Sequence, residues 1–201
     1  MSFELPEGWT ERRFTDVVSL PTGQVNPQAM PYREQPLLAP DYVESATGRI
    51  IALETAEAQA ASSGKYVVRP GDVVLSKIRP ALRKVALAQF EGTCSADMYP
   101  LRPLPGLLPR YLHAELLSDR FSAFAESVSG RTGIPKLNRS DLSSYSICVP
   151  PESEQYRIVE ILEAATEAER ATEAAVEKLR ALHRGLANDL LSGRKHVVEV
   201  P

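Results

Sequence analysis

Lys77-Ile78-Arg79-Pro80-Ala81-Leu82-Arg83-Lys84 places four cations within eight residues, directly after a strand-like run. A cluster of this kind suits contacts to phosphate, which fix position and make affinity salt-dependent. An arginine in it also carries the forked donors that read guanine in a major groove. A second polar run is Gly130-Arg131-Thr132-Gly133-Ile134-Pro135-Lys136-Leu137-Asn138-Arg139. Its glycines let backbone approach a ligand closely. Arg131, Lys136 and Arg139 supply charge, and Thr132 and Asn138 supply neutral hydrogen-bonding groups. The plainer readings are a solvated loop for the first run and a structural turn for the second. A turn accounts for Gly133 and Pro135 but not for the density of polar donors.

Charge is unevenly distributed over the 201 residues, whose formal net charge is −3. Residues 1–64 hold 4 basic and 9 acidic side chains, and residues 152–201 hold 7 basic and 10 acidic. Residues 65–139 hold 12 basic against 6 acidic, a local excess of +6 in an acidic chain. The local field, not the total, decides whether a polyanion binds. A hydrophobic content of 43% with 24% charged residues is that of a soluble globular protein. No apolar run reaches the ~20 residues that span a bilayer, and Met1-Ser2-Phe3-Glu4 lacks the plan of a signal peptide. The expectation is a cytoplasmic protein that does not engage membranes.

The elements that must position the two polar runs are partly readable. Leu5-Pro6-Glu7-Gly8-Trp9 predicts a turn-rich start, followed by a short amphipathic piece through Val18. Residues 20–49, with five prolines, predict loops and short strands. The Ala-rich stretch Ile50 to Ala61 predicts a short helix. Tyr66-Val67-Val68 and Val73-Val74-Leu75-Ser76 predict strands on either side of the turn Pro70-Gly71-Asp72. Val85 to Ala88, Cys94 to Leu101 and Tyr145 to Val149 predict three more strands. Apolar residues at 112, 116, 117, 121 and 124 predict one amphipathic helix over Tyr111 to Val128.

After Val149-Pro150-Pro151 the chain changes character. From Glu152 to Leu191 there is no proline, and the only glycine is Gly185. Ile158, Ile161, Ala165, Ala168, Thr172, Ala175, Leu179, Leu182 and Leu186 alternate in steps of three and four, which is a heptad seam. About 40 residues at 1.5 Å each make a rod of about 60 Å. A small head does not cover that length, and the sequence holds no second long helix. The partner expected for the seam is therefore another molecule. The alternative is a surface helix folded back on its own domain. Ser192-Gly193 predicts the stop.

Catalytic signals are sparse. Cys94 and Cys148 have no CxxC spacing and no nearby His pair, which argues against zinc and for ordinary buried thiols. His113, His183 and His196 are scattered, and His113 reads as a packing or surface residue. GxSxG, GxxxxGK[ST] and HExxH are absent. Asp72 and Asp97 near Lys77 faintly suggest a Mg²⁺-holding nuclease cluster, but the Asp-x(n)-Glu-x-Lys pattern is missing.

Several segments together resemble the specificity subunit of type I restriction–modification systems. They are Leu5-Pro6-Glu7-Gly8-Trp9, Pro70-Gly71-Asp72-Val73-Val74-Leu75-Ser76, Ile78-Arg79-Pro80, Gly130-Arg131-Thr132-Gly133-Ile134-Pro135-Lys136-Leu137, Val149-Pro150-Pro151-Glu152-Ser153-Glu154-Gln155 and Leu191-Ser192-Gly193. The resemblance implies a globular α/β (α+β) target-recognition domain over 1–150, one long C-terminal coiled-coil helix over 151–193 and a tail over 194–201. It implies a half-size form that reads one half of a bipartite site in double-stranded DNA. Such a form would pair as a homodimer through antiparallel helices, which also serve as a docking surface for a DNA methyltransferase subunit. An ATP-dependent restriction subunit joins where the system has one. The chain would have no catalytic role and no cofactor of its own, since S-adenosylmethionine and ATP chemistry would belong to its partners. Charge and loop position make Lys77, Arg79, Arg83, Lys84, Arg131, Thr132, Lys136 and Asn138 the expected DNA contacts. The competing functions are a stand-alone dimeric DNA-binding regulator and a nuclease.

Overall fold

A computed structural model describes residues 5–130 and 134–196 of the chain. In chain order its elements are β1 (Thr10–Arg13), α1 (Phe14–Val17), β2 (Val18–Ser19), β3 (Pro36–Leu38), β4 (Glu54–Thr55), β5 (Tyr66–Val68), β6 (Val73–Ser76), β7 (Val85–Leu87), β8 (Gly92–Cys94), β9 (Met98–Pro103), α2 (Pro109–Leu117), α3 (Asp119–Ser129), α4 (Arg139–Ser143), β10 (Ser146–Val149) and α5 (Glu152–Leu191). The chain divides into two compact units, one ending at Val159 and one beginning at Glu160. The first is a mixed α/β domain, and the second is the greater part of a long C-terminal helix.

The first unit is organised around β6. It lies between β9 and β7 in an antiparallel sheet of order β2-β9-β6-β7, and all four of its residues are buried. Side chains alternate across a strand. Val73 and Leu75 therefore enter the main core with Leu101, Leu112, Leu116 and Phe121, while Val74 enters a second core with Leu38, Val68 and Met98. A second sheet, of order β4-β3-β8-β5, joins β3 to β8 in parallel. That approach is close enough that a Cβ on Gly92 would lie 2.3 Å from the Pro36 carbonyl oxygen, so only glycine fits there.

The two ends of this domain are stitched together. β1 pairs antiparallel with β10, Thr10 opposite Val149. Gly8, at φ +81°, brings the N-terminal turn against Pro151, whose Cγ would be 3.1 Å from any added Cβ. Four residues later Gln155 is fully buried. Its Oε1 accepts from Leu108 N–H at 2.8 Å, and its Nε2 donates to the carbonyls of Gly106 and Pro150 at 2.8 and 2.9 Å. A buried amide is tolerated because each of its groups is satisfied. Val159 is buried in the main core, and Ile158 packs against it half-buried. The first two turns of α5 thus belong to the head.

α5 starts directly after Pro151 and carries Glu152 and Glu154 in its first turn, where negative charge opposes the helix dipole favourably. It ends at Leu191, with Gly193 in the left-handed region at φ +72°. Along 160–191 the apolar residues face outward. Ile161 is 68% exposed, Leu179 65%, Leu182 67% and Leu186 47%. Among the described residues no helix is long and apolar enough to cross a membrane.

Four sequence expectations are corrected. The stretch Ile50 to Ala61 is not a helix, because Glu54 and Thr55 pair with Leu37 and Pro36 and Ala60 turns left-handed at φ +49°. The piece from Trp9 to Val18 is a strand, one helical turn and a strand. Cys94 to Leu101 is two strands, split where Ser95 Oγ accepts from Asp97 N–H at 3.2 Å and closes a turn. Tyr111 to Val128 is two helices, because Ser118 is extended and caps α3 by accepting from Phe121 N–H. The one-turn helix α4 was not anticipated.

Candidate nucleic-acid interface

The central strand β6 ends at Ser76, and the basic run 77–84 leaves from it. The neck of this loop is closed by Ser76 N–H donating to the Lys84 carbonyl at 2.9 Å. Inside the loop, Pro80–Leu82 form one 3-10 turn. Arg79 and Arg83 flank it, both left-handed at φ +49° and +47°. For residues other than glycine that conformation costs about 1–2 kcal/mol, so the surrounding contacts must hold it.

Those contacts come from the second polar run, more than 50 residues away in sequence. Ile78 and Lys136 form an antiparallel bridge. Arg79 N–H donates to the Pro135 carbonyl at 2.9 Å, and Leu137 N–H donates to the Lys77 carbonyl at 2.8 Å. Leu137 itself is fully buried in the main core and anchors the pair of loops. The fold thus zips the two runs into one apex, which the sequence had offered as separate candidates. Arg131, Thr132 and Gly133 lie outside the described residues.

The cations of the apex divide by what they touch. Arg83 donates to Ser122 Oγ at 3.0 Å and pairs with Asp119 at 2.7 Å, which ties the loop to α3. Lys84 donates to the Pro40 carbonyl at 2.8 Å. Lys77 lies 3.8 Å from Asp97 and 5.6 Å from the centre of the Tyr99 ring. Arg139 donates to the carbonyls of Leu20 and Pro21 at 2.8 and 2.6 Å and stacks over Tyr99 and Tyr66. Burial raises the Tyr99 hydroxyl above the usual tyrosine range, so the phenol stays neutral beneath these cations. Asn138 opens α4 in a capping box with Asp141, whose Oδ2 accepts from Asn138 N–H at 2.7 Å. Arg79 and Lys136 remain exposed and have no side-chain partner among the described residues. Beside them Ile134 is 57% exposed and Leu82 40%, two aliphatic neighbours that charge patterning did not flag.

Of the two carboxylates weighed for metal binding, Asp97 lies 3.8 Å from Lys77 with its side chain half exposed, and Asp72 is committed elsewhere. Asp72 is buried and takes two hydrogen bonds from Arg102, each 2.8 Å, and a third from Arg69 N–H at 2.9 Å. This hydrogen bonding raises the Arg102 guanidinium further above its ordinary value. No group of three or more His, Cys, Asp or Glu suited to a metal occurs among the described residues. Cys94 is buried and Cys148 half-buried, and both are free thiols. Burial pushes the Cys94 thiol up, away from thiolate chemistry. His113 approaches the Val85 carbonyl at 3.3 Å, in line with a packing role.

Comparison with known proteins bears on this site. A family model described as "Type I restriction modification DNA specificity domain" matches residues 6–178. The Type I restriction enzyme EcoDI specificity subunit of Escherichia coli is 35% identical over 159 residues, which is 79% of this chain and 35% of that protein. The crystal structure of the HsdS subunit from Thermoanaerobacter tengcongensis aligns over 100% of this chain and 53% of its own, at 26% identity and a TM-score of 0.74. A chain from a structure of the type I R-M system, solved for complex assembly and conformational transition, aligns over 99% of this chain and 53% of its own, at 26% identity and a TM-score of 0.75. The chain thus spans about half the length of these solved relatives.

Proposed function

The chain belongs to the type I restriction–modification DNA specificity family, and from that premise we propose that it is a non-catalytic specificity subunit that reads double-stranded DNA through the zipped apex of residues 77–84 and 134–138. The observation that carries this reading is the pairing of Ile78 with Lys136. It sets two exposed cations, Arg79 and Lys136, side by side on backbone braced from the buried end of β6 and from Leu137. Phosphate and base contacts require such held donors, because a cation on an unbraced loop gives up side-chain and backbone entropy on binding. Arg131 and Thr132 belong to the same run and complete the proposed contact set with Lys77. Arg83, Lys84 and Asn138 serve it chiefly as braces, since their polar groups are engaged within the domain.

One such head reads one half of a bipartite site, and a homodimer joined through α5 reads both. The exposed leucines of α5 support that assembly. The same helices would offer a docking surface to a DNA methyltransferase subunit and, where the system has one, to an ATP-dependent restriction subunit.

Binding of duplex DNA measured across a salt series tests the apex. Each phosphate contact contributes about 0.9 to the slope of log affinity against log salt. Arg79→Ala with Lys136→Ala is expected to weaken binding and lower that slope by up to about 2. An unchanged affinity and slope would exclude the apex as the contact surface.

A further inference from the structure

The described parts of the apex, residues 77–84 and 134–138, offer a base pair a short inventory of contacts. They hold no Asp, Glu, Gln, Ser or Thr. Cytosine, which is read by a carboxylate accepting from its amino group, finds none there. Adenine is read by Asn or Gln, and the one amide present, Asn138, is engaged in the capping box of α4. Main-chain donors are engaged too. The N–H groups of Arg79, Leu82, Arg83 and Leu137 are bonded at 2.8–2.9 Å, and Pro80 and Pro135 have none to give. Six side chains of these two segments are exposed: the cations Arg79 and Lys136, and the apolar Ala81, Leu82, Ile134 and Pro135.

We infer that Ile134 reads thymine through its 5-methyl group in the major groove. This deepens the DNA reading proposed above and rests on it. The methyl group of thymine and the two acceptors of guanine lie in the same groove. One approach of the apex therefore brings Arg79 and Lys136 to guanine or phosphate and Ile134 to a methyl group. Among the apolar four, Ile134 is the best prepared for this. It is 57% exposed against 40% for Leu82. It precedes Pro135, which restricts its backbone to extended conformations, and the Pro135 carbonyl is tied to Arg79 N–H at 2.9 Å. Its β-branched side chain is stiff at χ1. A contact made by such a side chain gives up little entropy.

Replacing thymine by deoxyuridine tests this, because uracil pairs as thymine does and lacks only the methyl group. The duplex word enriched from a random pool by the full-length chain is remade with uracil at one thymine at a time. For the wild type, one position is expected at which the change weakens binding by about fourfold, the worth of one buried methyl group. In Ile134→Ala the same change is expected to have no effect, and in Ile134→Val the sensitivity is expected to persist. Thermal melts of both variants should match the wild type, since the side chain is largely exposed. An enriched word without thymine, or one in which no uracil matters, would overturn the inference and leave the DNA reading standing. So would an Ile134→Ala chain that binds both duplexes more weakly by the same factor, which marks a wedge or a brace. Sensitivity that survives in Ile134→Ala and disappears in Leu82→Ala would overturn the assignment to Ile134. A chain that enriches no word would overturn the DNA reading and the inference together.

Discussion

Leu112, Leu116, Leu137 and Leu142 in the first unit are at most 1% exposed, whereas Leu179, Leu182 and Leu186 in the second are 65%, 67% and 47% exposed. Both sets are leucines, so residue type does not distinguish them. The difference lies in what each unit supplies as a neighbour. In the head, helices and sheets of one chain cover one another, and among the described residues all but two of the buried side-chain polar atoms, Trp9 Nε1 and Thr93 Oγ1, are paired. Gln155 and Asp72 show this most clearly. In the second unit the apolar face has no such cover. Burying a leucine side chain is worth about 1.5–3 kcal/mol, so a helix presenting a row of them gains most from a partner. The head covers its own apolar residues, and the arm leaves its leucines exposed.

This contrast can be broken or sharpened experimentally, starting with the largest effect. Leu179→Asp with Leu182→Asp is expected to abolish self-association while leaving the head folded. Light scattering would report a monomer, and Trp9 fluorescence would report an unchanged unfolding midpoint. A double variant that stays dimeric would remove the seam from the account.

Gln155→Ala should act on the head alone. It leaves the Leu108 N–H and the Gly106 and Pro150 carbonyls without their partner, and a buried unsatisfied group costs about 1–3 kcal/mol. Chemical denaturation should show a loss of that order, with the dimer preserved where the head remains folded. An unchanged midpoint would mean that the amide does not pin α5 to the head.

The smallest effect concerns pH. Burial raises the Glu115 carboxyl above the usual glutamate range, against the opposing pull of the Tyr145 hydroxyl and Arg120. A folded-state value above the unfolded one means that the native state holds the proton more tightly. The stability from this group is therefore full below the ordinary glutamate pKa and is lost as pH rises through the raised one. Glu115→Gln should flatten that decline between acidic and neutral pH in thermal melts. A wild type and variant with parallel pH profiles would refute the assignment.

How much of this was legible in the sequence differs by region for physical reasons. The arm is local information. Pro151, the absence of proline to Leu191 and the glycine beyond it determined α5 without tertiary help. The strands β5, β6 and β10 were legible from β-branched and aromatic runs. The split between α2 and α3 was hidden because Ser118 interrupts the backbone without disturbing the apolar spacing. The turn at Ser95–Asp97 was hidden inside a strand-like run. The Ala-rich stretch before Ala61 read as helix because propensity is a weak prior, and pairing with β3 overrode it.

At the apex, residue types marked both basic runs, but nothing in the sequence joins Ile78 to Lys136. Nor does composition separate Arg79 from Arg83, which lie four residues apart in one loop. Asp119 and Ser122, far along the chain, turn Arg83 into a brace and leave Arg79 open. Whether a cation is free to bind is a tertiary property.

On the proposed reading, the head reads DNA in sequence and the arm joins two heads. Selection of bound duplexes from a random pool, using the full-length chain, tests it most directly. The account predicts enrichment of a short word present twice, as inverted copies at one fixed spacing. Enrichment of a single unpaired word, or of no word at all, would contradict it.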